Sequence, residues 1–310
     1  MGQQLVDEKN IAILGAGAVG QLIYQQLLTD GNAPLLIARE NERQQRVTFT
    51  ALDGEVTEST AILASPKSVS PLLEQVRLLI VCVKAYQVCD ALNSIIDKLS
   101  PKCHILLLHN GMGPHLEVPA LLHGQGLSLG TTSQAALKHE RWHIEQTGSG
   151  STQLGHLTGP RLSQELRTRL LSAIPNSQWC EPILPSLWHK LAINAAINPL
   201  TAIHDCCNGK LAEEQYRQQI SVVVSELIEV ASADGIELDK SALINRVYEV
   251  IGLTAANFSS MHQDVLNKRK TEIESINGFV VQRAQHHNLT VNENLSLLEQ
   301  VKNMESDYLK

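Results

Sequence analysis

The chain has 310 residues, a formal net charge of −7, 43% hydrophobic residues and 18% charged ones. Its length exceeds that of a typical single domain, so two domains are the natural prior. The acidic balance argues against a nucleic-acid binder, because there is no basic excess to neutralise phosphates. Residues 1–9 are polar and no later stretch is both long and apolar enough to span a bilayer, so the expectation is a cytoplasmic protein without membrane or nucleic-acid partners.

In chain order, the first element is Asn10-Ile-Ala-Ile-Leu14, a short apolar run that enters Gly15-Ala-Gly-Ala-Val-Gly20 and continues with helical periodicity through Leu28. Strand, glycine turn and helix together form a dinucleotide site. Gly15 makes the turn, Gly17 lets the backbone approach a pyrophosphate, and Gly20 permits close helix packing. The pyrophosphate would sit on the helix N-terminus; Ala16, Ala18 and Val19 are the residues between the three glycines. The next strand, Pro34–Ala38, runs into Arg39-Glu40-Asn41-Glu42-Arg43. An acidic residue here binds the ribose diol of NAD, whereas arginine pairs with the 2′-phosphate of NADP. Arg39 comes first and Arg43 adds a second positive charge, which favours NADP, while Glu40 speaks for NAD.

Two buried-strand runs follow, Arg77–Val83 and His104–Leu108, with a helix expected from Ala85 to Leu99 between them. This alternation predicts an α/β fold with a doubly wound parallel sheet. Open sheets of this kind bind ligands at the strand carboxyl ends, which singles out Lys84 and Asn110. The alternative for Lys84 is a charge at a helix start, and for Asn110 a shaper of the turn His109-Asn-Gly-Met-Gly113. Beyond Gly126 the alternating stretches Thr131–Ala136 and His143–Thr147 read as added antiparallel strands. Glu181-Pro-Ile-Leu-Pro185 then punctuates the chain, and nearly everything after it has helical periodicity. The expected organisation is a dinucleotide-binding domain over 1–181 and an all-helical domain over 182–310.

The helix predicted over Leu187–Leu200 is apolar except for Lys190, Asn194 and Asn198. Each step of four residues drifts only about 40° around a helix, so the three side chains share one narrow stripe. A solvated face is the alternative, but asparagine is a poor helix former with no reason to recur on one. One ammonium and two carboxamides amid apolar neighbours suit gripping a small oxygen-rich molecule and giving it a proton. A cleft with the cofactor on one wall and this stripe on the other would meet the needs of hydride transfer. The six cysteines lack C-x-x-C spacing and read as reduced thiols. His204-Asp-Cys-Cys207 lacks the spaced ligand pairs of a zinc site, so no metal is expected. Lys268-Arg-Lys270 reads as one turn of a solvated helix face.

Taken together, the Gly15 fingerprint, Lys84-Ala-Tyr-Gln87, His109–Gly113, Lys190-Leu-Ala-Ile-Asn-Ala-Ala-Ile-Asn-Pro-Leu-Thr-Ala202, Asn208-Gly209, Ser259-Ser-Met-His-Gln-Asp264 and Thr271-Glu-Ile-Glu-Ser-Ile-Asn-Gly278 resemble the ketopantoate reductase (2-dehydropantoate 2-reductase) family, in order and over nearly the whole chain. The resemblance implies a Rossmann domain followed by a helical domain, with NADPH-dependent reduction of 2-dehydropantoate to pantoate, a step toward pantothenate and coenzyme A. It makes Lys190 the general acid and Glu272 its catalytic partner near the cofactor. Asn110, Asn194, Asn198, Asn208 and Ser260 would hold the substrate with Lys190. NADPH would lie among Gly15 to Gly20, Arg39, Lys84, Gln87, Asn110, Ala136 and Glu272. The small-molecule substrate is the only partner implied, in a monomer or homodimer.

The residue types suit this chemistry independently. Hydride addition to a ketone builds negative charge on oxygen, which a nearby ammonium both stabilises and protonates. Glu272 would raise the lysine pKa and desolvation would lower it. Several supporting residues keep a second reading. Ser260, three positions before Gln263, resembles a capping-box serine, and Asn208-Gly209 is a turn dipeptide. Spacing alone does not choose between Glu272 and Glu274; the family pattern selects Glu272. His109 and His189 read as structural. Two rival functions remain: a reductase of the same architecture acting on another 2-keto acid, and an NADPH-binding sensor without turnover, which would be marked by loss of Lys190 or Glu272.

Overall fold

A computed structural model of the chain describes residues 10–28, 33–39, 44–67 and 71–309. Contacts divide the chain into two compact units, Met1–His109 with Pro114–Ile183, and Asn110–Gly113 with Leu184–Lys310. The four residues Asn110–Gly113 thus cluster with the helical unit although both flanking segments belong to the first. A single contiguous cut in the chain has no place for such an excursion.

The first unit is built on nine strands: β1 (Ile11–Leu14), β2 (Leu35–Ile37), β3 (Gln44–Thr50), β4 (Val56–Ala64), β5 (Leu78–Val81), β6 (His104–Leu107), β7 (Gly126–Glu140), β8 (His143–Thr158) and β9 (Ser177–Trp179). They form one sheet in the order β3-β4-β2-β1-β5-β6-β7-β8-β9. Helices α1 (Ala18–Leu28), α2 (Pro71–Glu74), α3 (Val88–Asn93), α4 (Pro114–Glu117) and α5 (Gln164–Ala173) belong to the same unit. Strands β1, β2, β5 and β6 are buried at every residue and pair in parallel, which is why their sequences are unbroken apolar runs. The chain leaves β1 for β2 on one side and returns to β5 on the other. The reversal falls between the carboxyl ends of β1 and β5, where open α/β sheets receive ligands.

Several elements differ from the sequence expectation. The segment 85–99 is not one helix: a 3-10 turn (Ala85–Gln87), α3 and a second 3-10 turn (Ile96–Lys98) share it. The helix stops where Ile95 leaves helical geometry at φ −131°, next to Ser94, whose hydroxyl donates to Ala91 O at 2.7 Å. The β3–β4 hairpin, with Gln44 opposite Ile62, is an addition that polar alternation concealed. Strands β7 and β8 are antiparallel to each other as expected, yet β7 joins β6 in parallel and β8 joins both β3 and β9 in parallel.

The second unit is helical: α6 (Leu184–Ile203), α7 (Glu214–Ala233), α8 (Lys240–Leu253), α9 (Ser260–Leu266), α10 (Asn277–His286) and α11 (Asn292–Ser306). Helix α6 is its axis and packs against α7, α8, α9 and α11. Buried Ala192, Ala195 and Ala196 allow close approach, while Trp188 lies tilted against Phe279 with ring centroids 5.6 Å apart. The Lys268–Lys270 run is exposed but not helical. Helix α9 ends at Leu266, Lys268 takes φ +52°, and Arg269 N closes onto Asp264 O at 2.8 Å. Among the described residues no helix is long and apolar enough to cross a membrane. All six cysteines are free thiols, and burial pushes the Cys82 and Cys103 thiols up to about 12.

Gly20 shows how tightly α1 is seated, since a Cβ there would lie 1.9 Å from Gly15 O and 3.3 Å from Cys82 Cβ. Gly20→Ala is expected to destabilise the fold by about 3 kcal/mol, read as a lowered thermal midpoint. An unchanged melt would mean that α1 can retreat from the turn at no cost.

Candidate active site

At the carboxyl end of β1 the backbone must reverse within a few residues. Gly15 does so at φ +109°, where a side chain would also strike Val83 Cγ1 at 2.7 Å. Gly17 differs in kind: a Cβ added there would meet nothing within 4 Å, so its backbone borders open space. Gln21 is fully buried, and its amide donates to Ala16 O and Arg141 O, both at 2.9 Å. The Ala16 carbonyl is therefore satisfied internally, while the first-turn N–H groups of α1, which begins at Ala18, have no acceptor within the helix and can serve an anion. A pyrophosphate fits this turn on both space and donor chemistry.

Around the turn, Lys84 follows β5 with extended backbone, and its side chain makes no capping bond to the 3-10 turn that it precedes. Gln87 ends that turn, its N–H donating to Lys84 O at 2.8 Å. Arg39 is exposed two residues past β2, whereas Glu40 and Arg43 lie outside the described residues. Ala136 is half-buried on β7, at a register shift beside Ala135.

In the helical unit the polar stripe of α6 is real. Lys190 and Asn194 are half-buried and Asn198 is buried. Lys190 Nζ donates to Asn110 Oδ1 at 2.9 Å, a contact spanning eighty positions of sequence. Desolvation lowers the Lys190 pKa to about 8, even though the charge of Glu272 acts to raise it. Glu272 is itself only 5% exposed, whereas Glu274 turns outward and pairs with Lys302 at 2.5 Å. The geometry thus separates two carboxylates that spacing could not.

Backbone contacts hold this cluster from two directions. Met112 N donates to Ser275 O at 2.7 Å, and Ser275 N closes a turn onto Glu272 O at 2.9 Å. Gly111, at φ +75°, lets the two segments meet, because a Cβ there would lie 2.5 Å from Ser275 O. On the other flank of Glu272, Thr271 N donates to the buried carboxylate of Glu305 at 2.6 Å. Reasoning from sequence passed over both Gly111 and Glu305. Glu305 did carry a signal: it is an acidic residue four positions after Val301 on the apolar face of α11.

The remaining candidates are placed differently. Asn208 donates through Nδ2 to Thr254 Oγ1 at 2.9 Å, but its Oδ1 is buried with no hydrogen-bond partner. That oxygen is available to accept a hydrogen bond. Ser260 is exposed and does not cap α9. That task belongs to Ser259, whose Oγ accepts from His262 N at 3.0 Å and lies 2.7 Å from Thr201 Oγ1. His189 is exposed, with Nδ1 2.7 Å from Pro185 O in its own helix. Chemically, an ammonium of reduced pKa beside a carboxamide and a carboxylate can stabilise a developing oxyanion and hand it a proton.

A glycine turn at the reversal of a doubly wound sheet, followed by a helical unit bearing a desolvated lysine, defines an NAD(P)-dependent oxidoreductase. Family models for ketopantoate reductase PanE/ApbA and for its C-terminal domain match residues 11–159 and 182–305. The 2-dehydropantoate 2-reductase of Vibrio cholerae is 35% identical over 97% of this chain and 99% of its own length. That of Escherichia coli O157:H7 is 36% identical over 96% of each. A solved D-mandelate dehydrogenase, described as a ternary structure with NADH and anilino(oxo)acetate, superposes with a TM-score of 0.89 at 25% identity, covering 97% of this chain and 99% of that one. The chain belongs to the ketopantoate reductase family.

An amine with a pKa near 8 sheds its proton more than two units earlier than an ordinary lysine. Removing the carboxylate that opposes this shift, as in Glu272→Gln, is expected to lower the value further. Nζ-detected NMR titration of both proteins checks this, and a variant titrating at or above the wild-type pH would contradict the electrostatic account.

Proposed function

We propose that the chain reduces 2-dehydropantoate to pantoate with NADPH, with Lys190 as the general acid. The observation that carries this reading is the Lys190–Asn110 bond beside Glu272, in a chain 35–36% identical to 2-dehydropantoate 2-reductases over nearly its full length. The glycine turn from Gly15 to Gly20, with Lys84, Gln87 and Ala136, would hold the cofactor, and Arg39 would pair with its 2′-phosphate. When bound, NADPH supplies the hydride.

The protein's own residues then manage charge and protons. Lys190 meets the negative charge that grows on the ketone oxygen and transfers a proton to it from Nζ. Asn110 aims the ammonium, and Glu272 keeps its pKa from falling further, so the acid stays mostly charged at neutral pH while still able to give its proton away. Carboxamides at Asn194, Asn198 and Asn208, with the Ser260 hydroxyl, bind the substrate's carboxylate and hydroxyl without adding a second ammonium to compete as acid. Activity should therefore fall as pH rises through about 8, because the depleted species is the protonated lysine.

A second reading follows from the likeness to D-mandelate dehydrogenase: a reductase of another 2-keto acid, working with NADH. Side-by-side turnover on 2-dehydropantoate, branched 2-keto acids and an aromatic 2-keto acid, each with NADPH and NADH, separates the two. Equal rates across the keto acids would defeat the specific assignment.

Two substitutions test the roles. Lys190→Ala should reduce kcat by roughly 10²–10⁴-fold while NADPH still binds, and undiminished turnover would remove the acid from Lys190. Arg39→Ala should cost NADPH about 1.5–3 kcal/mol of binding and leave NADH nearly unaffected. A variant that kept its preference for NADPH would place the phosphate contact elsewhere.

A further inference from the structure

Helix α6 contains a proline, Pro199, four residues before its end and directly after Asn198. Proline has no N–H, so the carbonyl four residues earlier, Ala195 O, loses its intrahelical donor, and the pyrrolidine ring also crowds that carbonyl. The affected peptide lies between Asn194 and Asn198, the two carboxamides of the stripe. A buried carbonyl in this position requires a donor from outside the helix.

The donor is Asn277, the first residue of α10, which is fully buried. Its Nδ2 donates to Ala195 O and to Asn294 Oδ1, each at 3.1 Å. Both partners are pure acceptors, so the amide can face only one way. The orientation is fixed further along the chain of bonds, since Asn294 Nδ2 donates to Glu226 Oε2 at 2.8 Å and to Val223 O at 3.2 Å on α7. Asn277 Oδ1 is left buried without a partner. The amide is thus turned so that Nδ2 serves Ala195 O and Asn294 Oδ1.

We infer that Pro199 and Asn277 act as a pair: the proline frees the Ala195 carbonyl, and Asn277 holds it, setting the direction in which Asn194 and Asn198 present their amides to a 2-keto acid. Asn277 is a positioning residue, one that acts through the α6 backbone without touching substrate. It sits five residues after Glu272, so the segment that carries the acid's carboxylate partner also braces the helix that carries the acid. This inference rests on the function proposed above.

The test is a double-mutant cycle of Asn277→Leu and Pro199→Ala on the full chain, with steady-state kinetics, NADPH binding by fluorescence and thermal melts. Wild-type turnover of 2-dehydropantoate is measured first; its absence would defeat the functional reading and not this one. Given that activity, Asn277→Leu is expected to raise KM for the keto acid at least tenfold, with the NADPH dissociation constant changed less than twofold. Restoring an N–H at 199 in the double variant should recover a substantial part of that KM, because Ala195 O regains a donor. A lowered melting temperature with unchanged KM would reduce Asn277 to a structural residue and overturn the inference. So would a KM in the double variant no better than in Asn277→Leu. Should Asn277→Leu alone not fold, the double variant decides: folding with a near wild-type KM supports the pairing, and failure of both variants to fold overturns it.

Discussion

Moving an ammonium out of water is among the more expensive things a fold can do, and the site depends on how that cost is met at Lys190. Desolvation favours the neutral amine, while Glu272 favours the charged one. Desolvation alone would carry the amine further toward its neutral form, and the charge of Glu272 holds it back. Asn110 supplies an oxygen acceptor that carries no charge, so it directs the ammonium while stabilising its charged form less than a second carboxylate would.

That balance constrains the chain around it. Glu272 must be close to Lys190 without being pulled into solvent, and two backbone anchors keep it there: Glu305 accepting from Thr271 on one side, and the Gly111–Met112 backbone meeting Ser275 on the other. Gly111 is glycine because the approach to Ser275 O leaves no room for a Cβ and because φ is positive. The excursion Asn110–Gly113 thus carries both a side chain for the ammonium and a backbone donor for the carboxylate's own segment. Geometry at one residue fixes geometry at the other.

Much of this was legible from the chain alone, for identifiable reasons. Buried parallel strands must be apolar throughout, so β1, β2, β5 and β6 stand out, and a glycine turn is recognisable because only glycine tolerates its backbone. The α6 stripe was visible because four-residue spacing repeats almost in phase with the helix. What escaped depends on long-range pairing. Strands β3 and β4 are half exposed and polar, so their pairing leaves little trace in composition. The break after Ser94 is a change of backbone geometry at the single residue Ile95, which apolar periodicity does not register. Ser260 looked like a cap because its neighbour Ser259 offers the same chemistry one position earlier, and register at a helix start is decided by which serine can also reach Thr201.

Proline 199 belongs to both categories. Its presence inside an apolar helix is plain in the sequence and signals an unpaired carbonyl at Ala195, yet nothing local says what answers that carbonyl. The partner lies on α10, and the amide that supplies it is oriented because Asn294 on α11 is held in turn by Glu226 on α7. A break in one element's regularity thus becomes a specification for the packing of four. The polar network around Asn277 sits where apolar side chains would pack with less penalty. Its retention is understandable if a fixed direction for the α6 carboxamides matters more to the protein than the stability a wholly apolar contact would contribute.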